Sequence, residues 1–250
     1  DELFGSYIFP RISEAKMISN NRIKWKSFLQ NSNDINNKFI NYEKILNMKI
    51  YEIKDYFMTL NEERKKNYLF MKKFPGTKYN NIKYIENIYK KFKKEKDLIN
   101  LALKIDFKSL LPDQVLSFVD ILSMQSSLEI RPPFLDNDMI DLAFNIAGNK
   151  KIVNSNQKII LKESLKKILP KEVVFRRKEG FVLPVEEMYL KKNLSKIKNV
   201  LSKKNLSKHG YLDFNKLAHL VNNINNNSFY ENNRIWIFYC FQQWWDKHFN

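Results

Sequence analysis

LPDQVLSFVDILSMQSSLEIRPPFLD, residues 111–136, changes character halfway along, and that change sets the reading of the whole chain. The first half places Val115, Leu116, Val119 and Leu122 at helical spacing, with Pro112 in the first turn, where a missing N–H costs nothing. A helix over 111–124 follows, with those four side chains turned to a core. The second half breaks the period. Pro132 and Pro133 keep the backbone extended, so Glu129 and Arg131, two positions apart, project to the same side. A buried Glu129–Arg131 pair bracing a turn is one expectation; Arg131 facing an anionic ligand is the other.

Working outward, helical periodicity continues. Asp136 is placed to cap a helix carrying Met139, Ile140, Ala143 and Ile146, with Gly148 just past its end. Ser155 is placed to cap the next, burying Ile160, Leu161, Leu165 and Ile168 before Pro170 closes it. Asp213 caps another, with Leu217, Leu220, Val221 and Ile224 on one face. A final helix over 231–249 is apolar and aromatic on most sides and is expected to be well buried. Upstream, a helix over 81–103 ends before Asp106; Ile85, Ile88, Tyr89 and Phe92 form one face, and the lysines of YKKFKKEK lie on the solvated one. Residues 47–58 suggest another helix, and Met17, Ile18, Trp25 and Phe28 an early one. The Asn- and Lys-rich stretch 33–77 reads as peripheral. Five glycines and seven prolines are too few to punctuate a many-stranded β fold, so the chain reads as mainly α.

Composition narrows the function classes. With 44% hydrophobic and 14% aromatic residues, the 250-residue chain is not a disordered one. Its net charge of +17 raises nucleic-acid binding, but the lysines are spread along the chain and accompany heavy use of Asn and Ile. That trio is what A+T-rich coding produces, and it outweighs a nucleic-acid footprint. The single cysteine, Cys240, excludes an internal disulfide, fits a reducing, cytoplasmic setting and reads as a buried small hydrophobe. His209, His219 and His248 lack metal-ligand spacing. No apolar run approaches the roughly 20 residues of a membrane span. The opening DELFGSY carries no Met, which suggests that sequence precedes it.

No segment supplies a complete active site: there is no Gly-rich phosphate loop, metal-protease motif or nucleophile elbow. What remains is polar groups at expected turns. Asp1 and Glu2 precede Leu3-Phe4-Gly5, where adjacent carboxylates can hold Mg²⁺, or can be exposed acids at a helix start. Arg176, Arg177 and Lys178 run into Glu179-Gly180-Phe181, a glycine turn able to set an ammonium against phosphate oxygens, or a solvated basic turn.

Taken in order, these segments resemble the C-terminal half of the asparagine synthetase family's synthetase domain. DELFGSY (1–7) is similar to the family's DELFGGY; residues 111–136 match LPDxxLxxxDxxSMxxSLExRxPFLD; QKIILKESLKKILPKEV and then RRKEGFVLP (176–184) resemble its lysine-rich segment and KxGFxxP loop; HGYLD (209–213) and RIWIFYCFQQWW resemble its close. The resemblance is weakest over 17–103. It implies an α/β PP-loop ATPase (adenine nucleotide alpha hydrolase-like) synthetase domain, most of whose sheet strands lie before DELFGSY. Residues 1–250 are then its mainly α, helical C-terminal portion.

The resemblance also implies a chemistry. In that family a glutaminase releases ammonia, and the synthetase domain activates the aspartate side-chain carboxylate with ATP, giving asparagine, AMP and pyrophosphate. Asp1 is then the carboxylate that holds Mg²⁺ on the pyrophosphate, with Glu2 and Arg131 nucleotide-facing, and Lys178 the catalytic cation on the phosphates. Ser6 replaces the usual second glycine, which costs roughly 1 kcal/mol if that position needs positive φ. Ile121 follows Asp120 where arginine is usual, so Asp120 carries over weakly, and Met188-Tyr189 stands where a Trp is common. The SGGxDS pyrophosphate loop and the glutaminase cysteine are absent from these residues; both lie upstream in the family. The chain therefore resembles a fragment or one piece of a split protein, inactive alone, whose partners are that upstream portion, ATP and aspartate, and which admits a homodimer. A sister amidotransferase that amidates a glycan or closes a lactam or peptide ring is the alternative within the fold, and a basic helical nucleic-acid module the alternative outside it.

Overall fold

The computed structural model describes residues 1–7, 9, 10, 13, 44, 45, 47–70, 80–154, 156–176 and 185–249. In chain order its first helices are α1 (Ile50–Tyr56), α2 (Glu62–Tyr68), α3 (Asn81–Lys91), α4 (Leu98–Lys108), α5 (Ser117–Met124) and α6 (Asn137–Asn145). They are followed by α7 (Ile159–Leu165), α8 (Lys171–Val174), α9 (Leu194–Val200), α10 (Lys203–Ser207), α11 (Phe214–Asn222) and α12 (Phe229–Phe249). Short π-helical turns, Leu111–Leu116 and Glu186–Leu190, lead into α5 and α9. Among the described residues there is no strand, only the isolated bridges Leu69–Leu212 and Val153–Asn156. The mainly α expectation holds. The expected early helix around Met17–Phe28 and the loop at Lys178 lie outside the described residues.

Two compact units form, residues 1–54 with 82–177 and residues 55–81 with 178–250. In the first, Ile99, Leu103 and Ile152 make one core cluster with Phe144 against it, and Leu3, Phe4 and Ala143 make a second. The helix expected over 81–103 is two helices. Asp97 interrupts it: Oδ1 accepts from the Ile99 and Asn100 amides and Oδ2 from Gly148 N at 2.6 Å. A carboxylate satisfying three backbone donors is worth more there than one more helical turn. α4 accordingly runs through Asp106, which is fully buried rather than beyond the helix end. The supposedly peripheral stretch also contributes to the core: Ile45 and Ile53 are completely inaccessible.

Other burial expectations fail where a partner surface is missing from the pattern. Asp136 caps α6 through the Asp138 amide (3.0 Å), but α6 buries only Ala143 fully. The expected cap Ser155 lies outside the described residues; α7 follows Lys158, and Ile168 is 75% exposed beyond its end, not buried. On α5, Leu122 is exposed and Val119 half-buried, and Val115 and Leu116 of the preceding π-helical turn are half-buried. Lys151 is completely inaccessible; its ammonium donates to Asn100 Oδ1 (2.8 Å) and stands 5.4 Å from the Phe144 ring centroid. Burial pulls its pKa down to about 8.

The second unit follows its sequence more closely. Asp213 Oδ1 accepts from Lys216 N (3.2 Å), and Leu217, Leu220, Val221 and Ile224 are all buried. They pack with Ile197 and Val200 of α9 and with Ile235, Phe238 and Tyr239 of α12. Tyr189 and Tyr239 share a hydroxyl–hydroxyl bond of 2.8 Å. The final helix departs from expectation. Its inward stripe includes Asn232, Arg234 and Gln242, while Cys240 is exposed and Trp244 is 49% exposed. Polar side chains are tolerated at depth because they find partners: Asn232 Nδ2 donates to Glu186 Oε2 (2.6 Å) and to the Ile224 carbonyl (3.0 Å).

Candidate functional site

The turn carrying Asp1 and Glu2 is built from its glycine. Gly5 has φ +76°, and its amide donates to the Asp1 carbonyl at 2.9 Å. A Cβ at that position would lie 2.5 Å from Ile152 Cδ1, so both the conformation and the space call for glycine. Ser6 is not among the described residues with positive φ, so its replacement of glycine carries no backbone strain. Leu3 and Phe4 anchor the turn in the core, Phe4 meeting Phe134 edge to face at 6.0 Å. Gln157 Nε2 donates to the Ser6 carbonyl (2.9 Å), tying the turn to the chain just ahead of α7.

That tether sets the key juxtaposition. Lys158 ion-pairs with Asp1, and both line an open cleft of about 790 Å³. The lysine has a left-handed backbone, φ 56°, which a non-glycine residue adopts only under constraint, and it starts α7. Partial burial pulls its pKa down, opposed by the field of Glu2; Lys162, one turn on, is lowered by burial and then by Lys158. The rest of the cleft is largely apolar, with Leu116 and Val119 on one wall and Ile130, Pro132 and Phe134 on another; Asp120 and Ser117 add polar groups. Glu2 is buried and accepts from the Tyr7 hydroxyl at 2.9 Å.

Of the expected site residues, Asp1, Glu2 and Arg131 are described. Asp1 is exposed on the cleft and Glu2 lines it from a buried position. Arg131 pairs with Glu129 as expected, but the pair is solvent-exposed, not buried, and Arg131 is absent from the cleft lining. Lys178 lies outside the described residues. Lys158 was missed: its only signal was a place in the lysine-rich segment QKIILKESLKKILPKEV.

The donor set fits Mg²⁺ carried by a phosphate and does not fit a protein-only cage. Among the described residues no group of three or more His, Cys, Asp or Glu side chains could hold a metal. Mg²⁺ needs only one or two carboxylates when phosphate oxygens and water complete its shell, and Asp1 offers one. The cleft volume is in the range that takes a nucleotide-sized ligand.

The acidic glycine turn and the start of α7 thus meet on one open cleft. The asparagine synthase family model matches residues 1–246, and the chain belongs to that family. It is 28% identical over 117 residues to asparagine synthetase (glutamine-hydrolysing) 1 of Bacillus subtilis, covering 46% of this chain and 18% of that protein. Against asparagine synthetase (glutamine-hydrolysing) 3 of the same organism it is 31% identical over 102 residues, 41% of this chain and 17% of the relative. The matched stretches thus span less than a fifth of these relatives. No solved structure gives a significant match. No helix among the described residues is long and apolar enough to cross a membrane.

Proposed function

We propose that this chain supplies the phosphate-facing wall of an ATP-dependent carbon–nitrogen ligase site. In the whole protein that site adenylates the aspartate side-chain carboxylate and transfers glutamine-derived ammonia to it, forming asparagine, AMP and pyrophosphate. The observation that carries the reading is the convergence of Asp1 and Lys158 on one cleft. Asp1 would hold Mg²⁺ on the phosphates, where the metal would supply charge neutralisation for pyrophosphate. Lys158 would set its ammonium against the phosphate oxygens. Its lowered proton affinity reflects a partly dry setting, where a fixed cation stabilises charge more strongly than in water. Lys178 contributes the second cation. The apolar walls around Leu116, Val119 and Phe134 exclude water from the activated acyl group. Upstream glutaminase and pyrophosphate-loop portions, whether in the same chain or not, complete the site.

ATP–pyrophosphate exchange in the whole protein tests this. Lys158→Ala and Lys178→Ala should each lower exchange by about 10²–10³ while glutamine hydrolysis persists. Wild-type exchange in both variants would remove the phosphate-facing roles of the two lysines, and absence of exchange in the wild-type protein would remove the ligase reading. Salt-sensitive binding of RNA or DNA with no exchange activity would favour a basic nucleic-acid module instead.

A further inference from the structure

We propose that the buried Lys151 and its acceptor Asn100 are positioning residues for Lys158, holding the chain ahead of α7 so that the Lys158 ammonium meets the acidic turn. Lys151 has no solvent access, and its ammonium donates to Oδ1 of Asn100 in the first turn of α4 (2.8 Å). The other end of that amide, Nδ2, donates to the Ile146 carbonyl (3.0 Å) just past α6. Asn100 thus grips the chain on both sides of the short turn Gly148–Lys150, and the Gly148 carbonyl accepts from the Lys151 and Ile152 amides at 2.9 and 3.0 Å. With side chain and amide both tied down, Lys151 presents its carbonyl in one direction. That carbonyl accepts from the amide of Ile159, the residue after Lys158, at 3.0 Å.

Between these two residues the chain folds back on itself. Val153 and Asn156 exchange both backbone hydrogen bonds (3.1 and 2.9 Å), and Asn154 and Lys158 are left-handed, with φ 50° and 56°. Non-glycine residues keep that conformation where their surroundings enforce it. For Lys158 the enforcement stands on either side: the Gln157 side chain is held by the Ser6 carbonyl, and the Ile159 amide by Lys151. Ile152, next to Lys151 and equally inaccessible, lies against Gly5, where an added Cβ would be 2.5 Å from its Cδ1. The dipeptide Lys151-Ile152 therefore mounts both partners of the Asp1–Lys158 pair, the acidic turn through the Ile152 side chain and the cation through the Lys151 carbonyl. A lysine is a costly mount, because only an amide oxygen and the Phe144 ring offset the removal of its charge from water. Methionine would fill the space at lower cost but has no donor with which to reach α4.

The effect on activity rests on the ligase reading; the positioning of Lys158 does not, and two measurements on the whole protein separate them. Amide hydrogen exchange at Ile159 reads positioning, and ATP–pyrophosphate exchange reads its catalytic consequence. Lys151→Met and Asn100→Leu break the same bond from opposite ends, so either one carries the test if the other fails to fold. Each should speed hydrogen exchange at the Ile159 amide about tenfold, with the amides of residues 85–91 in α3, part of the same unit, unchanged. Each should also lower ATP–pyrophosphate exchange about tenfold. Because that loss runs through Lys158, the same substitutions should change activity less than about twofold in a Lys158→Ala background. An undiminished loss in that background overturns the proposal. So does a folded variant whose Ile159 amide behaves like wild type, or hydrogen exchange that rises equally in α3, which marks a general loss of stability. Absence of ATP–pyrophosphate exchange in the wild-type protein sinks the ligase reading instead, and the Ile159 amide alone then decides the role of Lys151.

Discussion

Gly5 and Lys151 show how much single positions decide. Gly5→Ala places a side chain in the left-handed region and against Ile152, so it should cost at least about 1–2 kcal/mol, read as a lower denaturant midpoint with unchanged slope. Lys151 makes a pH-dependent prediction. Its pKa falls from 10.5 unfolded to about 8 folded, so between those values the unfolded chain binds more protons. The contribution of Lys151 to stability must therefore rise as pH climbs from about 8 toward 10.5. The melting temperature of wild type relative to Lys151→Met should shift in favour of wild type over that window; a constant difference would contradict the burial argument. The glycine was legible from DELFGSY, because a glycine after two anchoring apolar residues signals a turn. The lysine was not, because its acceptor, Asn100, is 51 positions away and nothing local distinguishes it from the solvated lysines.

At the level of elements, caps and stripes were readable and depth was not. α11 carries its whole explanation in sequence: a capping Asp213 and four apolar residues at helical spacing, all of them buried. Asp213→Ala should cost about 1 kcal/mol, a fall of about 2–4 °C in melting temperature for a chain of this size. α12 misled because hydrophobicity on most sides was taken as burial on most sides. Its inner face was instead chosen by tertiary hydrogen bonds, such as His209 Nε2–H to Gln242 Oε1 at 2.9 Å, with His209 Nδ1 accepting from the Tyr211 amide. Trp244→Ala should therefore change stability by less than the 3–5 kcal/mol of a fully buried tryptophan. The candidate site divides the same way. Its acidic turn and the proline-bounded wall were visible as local motifs, whereas Lys158 meets Asp1 only once the chain has folded back over more than 150 residues.

For the molecule as a whole, the charge of +17 is the dominant global term. Lysines spread over a surface repel one another, so the folded state gains from screening. Raising salt from about 10 mM to about 150 mM, across which the screening length contracts from about 30 Å to about 8 Å, should raise the melting temperature. A fall would mean that attractive pairs such as Lys104–Glu95 and Lys191–Glu186 outweigh the repulsion. The Asp1–Lys158 ion pair on the cleft has a further consequence, for the order of events. With Asp1 and Lys158 already neutralising each other, a lone divalent ion or a lone polyanion gains little by arriving, since each would strand the opposite charge. On the ligase reading, a visitor bearing both signs would exchange partners with both residues at once, so the ion pair would select by charge pattern before any chemistry begins.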